Sequence, residues 1–219
     1  MITRATDSRS NFVAKTYKNR IERRMHKLFV IIISLFSLVL PALKAQKVSI
    51  KNNLAYTGVT FTPNLGMEVS LGEKYSFNIH TSYNPWNYKG SSSNNKKLAH
   101  WVIQPEFRYW LKQSTEGHYF GIHGLFSKYN ISQRKLNILF GNHSKNYRFD
   151  GNANGAGLTY GYIWSLSKRW SLETNLGIGF LYMDYDKYDA TKCGKWIEAK
   201  NKTYVGPTKI GIHLIYKLN

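Results

Sequence analysis

Bulky apolar residues alternate with small or polar residues along most of the chain after residue 46. The clearest example is segment 101–111, in which Trp101 and Phe107 share the apolar face while Glu106 and Arg108 lie on the other. A period of two is that of a β-strand, whose successive side chains point to opposite faces. The segment is therefore predicted to be a strand with one apolar face and one ion-bearing face.

Seven further segments show the same alternation, so we predict eight strands. Their approximate bounds are 48–57, 64–71, 75–84, 101–111, 118–129, 155–166, 170–182 and 209–218. Pro105 lacks a backbone donor, so we expect a bulge or irregular pairing there. No amphipathic helix pattern accompanies the strands. The pattern predicts an all-β fold, an eight-stranded antiparallel up-and-down transmembrane β-barrel with its apolar side facing lipid.

The predicted connections between strands alternate in length. Tight turns are expected at 72–74, 112–117 and 167–169, and longer connections near 58–63, 85–99, 130–150 and 184–203. Such asymmetry is typical of a barrel in the bacterial outer membrane with both termini in the periplasm. The longer connections would then lie outside the cell.

The segment before residue 46 carries the features of export. The apolar run 28–40 is too short to span a membrane, follows Met25 and Lys27, and precedes Ala45. Residues 25–45 are therefore predicted to be a cleaved signal peptide. Residues 1–24 are interpreted as a non-native or wrongly assigned extension, which leaves 46–219 as the barrel domain.

The chain is strongly basic, with a formal net charge of +19. From Gln46 onward it contains 22 Lys and Arg and 10 Asp and Glu, so the predicted mature domain carries about +12. For an exported barrel, the expected counter-charge is outer-membrane lipid, lipopolysaccharide above all, and not nucleic acid. Cys193 is the single cysteine, so an intramolecular disulfide is excluded.

Several strings carry a resemblance to a known family: TPNLGMEV, YNPWNY, HWVIQPEFRYW, LTYGYIWSLSKRWSLE and GPTKIGIHLIY. Together they resemble a domain-of-unknown-function family of small outer-membrane β-barrels from Bacteroides-type bacteria. The resemblance covers residues 46–219 and implies an OmpA-like barrel without an established activity. Because genes of that family often lie near fimbrial genes, it also implies a link to fimbria assembly or envelope integrity.

The inward face of the predicted barrel is expected to hold a lumen ion network. Its members are Glu68, Glu106, Arg108, Glu173 and Lys209. An eight-stranded barrel encloses space for its own side chains or one small ligand, which excludes a wide pore. Two interpretations remain: a plug that fixes strand register, and a gated path whose ion pairs exchange.

A weak candidate for catalysis lies on the third and fourth strands. His80 and Ser82 share a face, and Glu106 is near enough in the predicted sheet to orient an imidazole, as in an acyl hydrolase acting on lipid A. Both side chains point into the lumen, however, whereas an acyl substrate arrives from the lipid. We therefore predict no enzyme. The residue spacings also predict no metal site and no cofactor.

An apolar group within a basic segment marks the connection between strands five and six as a candidate interaction site. Its residues are Arg134, Lys135, Leu136, Ile138, Phe140, Lys145 and Arg148. They form either an outer-loop patch for a surface or fimbrial protein or lipopolysaccharide, or a simple hairpin extension of the two strands.

Taken together, the sequence predicts a structural or surface-interaction barrel of the outer membrane without a wide pore. Two alternatives stay open. One is a lipid A-modifying acyl hydrolase. The other is a soluble small-ligand-binding barrel, in which the aromatic faces would form the core and the charged faces would meet water. The oligomeric state does not follow from the sequence.

Overall fold

The computed structural model describes residues 47–86, 95–134, 136–141, 144–191 and 193–218. The predicted extension at 1–24 and signal peptide at 25–45 lie outside the described residues. The elements are β1 (Val48–Asn53), α1 (Leu54–Thr60), β2 (Asn64–Ser70), β3 (Tyr75–Asn84), β4 (Lys97–Trp110), β5 (Gly117–Ser132), α2 (Asn137–Phe140), a 3-10 helix (Ser144–Asn146), β6 (Tyr147–Ser165), β7 (Trp170–Asp189) and β8 (Trp196–Lys217).

Each strand pairs antiparallel with the next, and β8 pairs with β1, so the eight strands close into a barrel. The prediction of an all-β fold with eight antiparallel strands is confirmed. In the parts of the chain that the structure describes, no helix is long and apolar enough to cross a membrane.

The alternation sorts side chains between the two faces of the barrel. Trp101 and Phe107 are 39% and 46% exposed on the outer face, whereas Glu106 and Arg108 are 1% and 0% exposed in the interior. Bulky apolar side chains cover the outside on every strand from β1 to β8. This orientation is the opposite of the one that a soluble barrel with an aromatic core requires.

The first strand is shorter than predicted. β1 ends at Asn53, and residues 54–60 form α1 instead of continuing the strand to Thr57. The side-chain oxygen of Asn53 caps the helix, because it accepts a hydrogen bond from the Ala55 amide at 3.1 Å. The strand prediction was wrong here because Leu54 and Tyr56 continue the alternation, which carries no information about a helix cap.

The prediction of a long loop at 184–203 is also wrong. β7 continues to Asp189 and pairs with β8, which begins at Trp196. The Lys187 ammonium lies 3.1 Å from the Glu198 carboxylate across this pair. The prediction ended the strand at residue 182 because the next outward residues are acidic, so the apolar alternation stops before the strand does.

Strands β5 and β6 likewise extend into the predicted excursion at 130–150. β5 ends at Ser132 and β6 begins at Tyr147, and Ser132 pairs with Arg148. The hairpin interpretation therefore holds for the two ends of this segment. The short helix α2 and the 3-10 helix lie between them.

The barrel has a tall wall and a short wall. Strands β5 to β8 contain 16 to 22 residues, whereas β1 and β2 contain 6 and 7. The tight turns lie at one end of the barrel with Lys47 and Leu218, which we call the turn end; the longer connections define the opposite, loop end. Pairing of β1 with β8 runs to Asn53 and His213, and α1 follows on the loop-end side.

Two prolines have different effects on the sheet. At Pro105 the pairing of β4 with β5 is interrupted but its register is unchanged, so irregular pairing is present without a bulge. In β8 the register shifts by one residue after Pro207, and the extra residue is Thr208. The bulge turns Thr208 into the interior, where it is 9% exposed.

Candidate functional site: the barrel interior

Six charged side chains cross the interior on the turn-end side, and we call them the charged layer. They are Lys51, Glu68, Glu106, Arg108, Glu173 and Lys209. Each side chain is 0% exposed except that of Lys209, which is 3% exposed. Three carboxylates face three cations, so the layer has no formal net charge.

Arg108 is the centre of the charged layer. Its Nη1 lies 3.0 Å from Glu68 Oε2, its Nη2 lies 2.9 Å from Glu173 Oε1, and its Nε lies 2.6 Å from Glu106 Oε2. The guanidinium also lies over the Tyr119 ring, 4.2 Å from its centroid. A planar group with five donors can satisfy three carboxylates at once, which an ammonium cannot do with the same geometry.

The two lysines complete the charge balance. Lys51 Nζ lies 2.6 Å from Glu68 Oε2 and 2.8 Å from Glu173 Oε2, and Lys209 Nζ lies 2.8 Å from Glu106 Oε2. The structure thus brings all five predicted network residues together, and it adds Lys51. The sequence contained a signal for Lys51, because the five predicted residues alone carry three acids and two bases.

Neutral side chains donate further hydrogen bonds to Glu68 and Glu173, whereas Glu106 Oε1 has no hydrogen-bond partner among the described residues. Ser76 donates to Glu68 Oε1 at 2.5 Å, and both Tyr119 and Asn175 donate to Glu173 Oε1 at 2.6 Å. A Cβ at position 121 of β5 would lie 2.9 Å from Glu106 Oε1, so a residue larger than Gly121 would displace that carboxylate. The layer is therefore closely fitted to its wall.

An apolar cluster closes the interior below the charged layer. It consists of Trp110, Tyr119, Ile163 and Ile215, each 0 to 3% exposed. The indole nitrogen of Trp110 donates to the Ser76 hydroxyl at 2.9 Å. Side chains thus fill the interior at the turn end and through the charged layer, as expected for a barrel of eight strands.

Three buried histidines lie beside the charged layer. His80 Nε2 lies 3.2 Å from Asn64 Oδ1, and its ring is 5.3 Å from that of His213. His123 bridges the Thr159 and Thr208 hydroxyls at 2.8 and 2.9 Å. Within the described ranges, no group of three or more metal-ligating side chains is arranged to hold a metal ion.

The weak catalytic candidates do not form a relay. Glu106 is held by Arg108 and Lys209, and Asn78 donates to the same carboxylate oxygen at 3.3 Å. His80 instead has Asn64 as its hydrogen-bond partner. Ser82 is buried at 4% exposure on the same interior face. The structure therefore places all three residues in the lumen but does not join the carboxylate to the imidazole.

Toward the loop end the interior changes character and becomes apolar. We call this region the apolar chamber; its buried wall residues are Leu125, Tyr129, Ala153, Leu181 and Met183, and Val102, Leu139 and Phe140 border it. The chamber has a volume of about 510 Å³. Phe140 of α2 stacks on Phe149 of β6 at a centroid distance of 4.1 Å, so α2 packs against the barrel wall beside the chamber.

The predicted outer-loop patch is divided by the structure. Leu136 and Phe140 line the apolar chamber, so this part of the patch faces the barrel. Lys145 is exposed in the 3-10 helix, and the Arg148 guanidinium lies over the Tyr188 ring at 4.1 Å. Arg134 is half-buried. Lys135 and the side chain of Ile138 lie outside the described residues.

Comparison with known proteins adds a family to this geometry. The sequence model of a family described as proteins of unknown function (DUF3575) matches residues 29–218. No curated protein and no solved structure matches the chain.

Proposed function

The chain belongs to this family of proteins of unknown function, and we propose that it is a closed transmembrane β-barrel of a bacterial outer membrane. Its role is structural or lies in contacts with other surface components, not in the passage of solutes. Both ends of the barrel domain face the periplasm, and the loop end faces outward. Fimbria assembly and envelope integrity are the processes in which we place it.

The observation that carries this proposal is that apolar side chains cover the outside of the barrel while charged side chains are buried inside it. Large apolar side chains such as Ile122, Leu158 and Ile178 are 62 to 64% exposed, while the six residues of the charged layer are buried. A surface of this kind in water would be a large aggregation liability, whereas in a bilayer it meets acyl chains. Where β1 and β8 pair, closure of the barrel also leaves no sheet edge unpaired in the hydrocarbon.

The charged layer supports the proposal that the barrel does not transport solutes. Its cations and carboxylates pair with one another across strands β1, β2, β4, β7 and β8. Passage of a solute would require separation of these buried pairs, and each uncompensated charge would cost about 3–5 kcal/mol. A plug is therefore the interpretation that the ion pairs support over an exchanging path.

Contact with lipopolysaccharide is proposed for the rim of the loop end. Lys128 pairs with Trp101 and lies two residues beyond Phe126 on the outer face, and Lys145 is exposed in the 3-10 helix after β5. An aromatic belt bordered by cations is the arrangement expected where anionic headgroups meet the hydrocarbon.

Spin-label accessibility tests the membrane setting. Cys193 is first replaced by Ser, and single cysteines are then introduced at Ile122 on the outer face and, as the matched control, at Glu73 in a turn. In lipid vesicles the label at 122 is expected to be accessible to oxygen and protected from a water-soluble nickel complex, because apolar oxygen concentrates in the hydrocarbon. The label at 73 should show the reverse.

Equal nickel accessibility at both positions would contradict the proposal, because it would place the apolar face in water. Cell fractionation of the unlabelled protein provides the second check. The protein should sediment with the outer membrane and resist extraction by high salt, since its attachment is hydrophobic and not electrostatic.

A further inference from the structure

The apolar chamber has the size and lining of a small-molecule site. Its volume of about 510 Å³ lies within the range of roughly 300–1,000 Å³ that is typical of ligand pockets. Leu125, Ala153, Leu181 and Met183 form its apolar wall. Because the charged layer fills the interior toward the turn end, the chamber does not continue as a channel through the barrel.

On the short-wall side, the chamber is bounded by α1 and not by a paired strand. Tyr56 and Thr60 of α1 and Thr62 after it face the chamber. The outward residues Leu54 and Val59 are 42% and 79% exposed. A short helix with apolar residues on its outer side therefore separates the chamber from the apolar exterior.

One polar group in the wall of the chamber lacks a hydrogen-bond acceptor. Tyr129 is only 6% exposed, and its buried hydroxyl has no hydrogen-bond partner among the described residues. Its neighbours on the outer face, Lys128 and Asn130, place it beyond the apolar band of the barrel. Buried donors without an acceptor are rare because they are costly.

A polar region lies next to this donor. A second cavity of about 440 Å³ shares His100 and Tyr129 with the chamber and adds Lys97 and Lys128 to the lining. Asp150, which also lines it, accepts a hydrogen bond from Asn130 at 2.5 Å. The apolar chamber thus borders a polar region at Tyr129.

We propose that the chamber binds a free fatty acid, with its alkyl chain among Leu125, Leu181 and Met183 and its carboxylate at the Tyr129 hydroxyl. The alkyl chain accounts for the apolar wall, because burial of each methylene is favourable. The carboxylate supplies the acceptor that Tyr129 lacks. This site lies beyond the proposed structural role and is separate from the charged layer.

Titration with dodecanoate, labelled with ¹³C at the carboxylate, tests the proposal. The purified full chain is placed in lipid nanodiscs, and the carboxylate resonance is followed by NMR. A saturable shifted signal is expected for the unaltered protein. Ala153→Phe fills the chamber and should abolish that signal, whereas Ala156→Phe, on the same strand but the outer face, should retain it.

Removal of the Tyr129 hydroxyl tests the position of the ligand carboxylate. Tyr129→Phe should weaken binding roughly tenfold through loss of a hydrogen bond to a charged group. Tyr185→Phe is the matched control, because Tyr185 is equally buried at 6% exposure but does not line the chamber, and it should bind dodecanoate normally. The comparison of Tyr129→Phe with Tyr185→Phe tests the proposed site even if Ala153→Phe does not fold.

A signal of equal strength in Ala153→Phe and the unaltered protein would show partition into the lipid only and would overturn the proposal. So would equal affinities for Tyr129→Phe and Tyr185→Phe. The titration reports on the chamber, whereas the spin labels report on the outer face, so the two proposals fail separately.

Discussion

The two halves of the barrel interior show two ways of filling the same cylinder. In the charged layer, six ionised side chains are fixed by ion pairs of 2.6 to 3.0 Å that join β1, β2, β4, β7 and β8. In the apolar chamber, Leu125, Leu181 and Met183 face one another without directional bonds, and a space of about 510 Å³ remains.

The difference shows how the charged or apolar character of the interior side chains determines whether a barrel has space for a ligand. A buried charge is stable only with its full set of partners, so the charged layer cannot leave a gap without a large penalty. Apolar side chains tolerate an opening at a smaller cost per lost contact. The same eight strands thus form a seal toward the turn end and a chamber toward the loop end.

The largest expected effect comes from removing the centre of the seal. Arg108→Met keeps much of the side-chain volume but leaves Glu68, Glu106 and Glu173 without their shared cation. The free energy of unfolding should fall by about 3–5 kcal/mol, as is typical when one partner of a buried ion pair is lost. Guanidinium titration in lipid vesicles measures this change.

Lys128→Met is the matched control for that variant, because Lys128 is exposed on the outer face of β5. Surface substitutions of this kind change stability by about 0.5 kcal/mol or less. A loss for Arg108→Met no larger than that of Lys128→Met would mean that the charged layer does not stabilise the barrel.

A smaller effect distinguishes two buried tyrosines, one in each half of the interior. Tyr119→Phe removes the 2.6 Å hydrogen bond to Glu173 and should cost about 1.5–3 kcal/mol of unfolding free energy. Tyr129→Phe removes a hydroxyl without a described partner and should be neutral within about 0.5 kcal/mol or slightly stabilising. The same denaturant titration compares both variants.

The reverse order of the two losses would contradict this distinction. Equal losses would mean that Tyr129 is bonded as strongly as Tyr119, which would also weaken the fatty acid proposal. Near-ultraviolet circular dichroism of each variant confirms that tertiary packing is retained before the free energies are compared.

The strand faces were predictable because the period of two reports which side chains share an environment. It placed Glu106 and Arg108 opposite Trp101 and Phe107, and the structure has the same arrangement. The ends of strands were less predictable. At Asn53 a local cap ends the strand, and beyond residue 182 acidic outward residues conceal the continuation of β7.

The charged layer was more predictable than the apolar chamber. Ionic residues on an inward face are conspicuous, so five of the six were found, and charge balance could have identified Lys51. Leu181 and Met183 carry no such signal, because an apolar residue in a barrel strand indicates the lipid face unless the register is known. The alternation puts Leu181 on the face opposite Tyr182, but the pairing of β6 with β7 is needed to place Leu181 and Met183 beside Ala153.

The central claim is that the charged layer seals the barrel, and planar-bilayer conductance tests it most directly. The purified protein should produce no steady conductance in a lipid bilayer at moderate voltage, because ions would have to cross the paired layer of Lys51, Arg108 and their carboxylates. A steady, ohmic conductance that also passes large solutes would contradict the account.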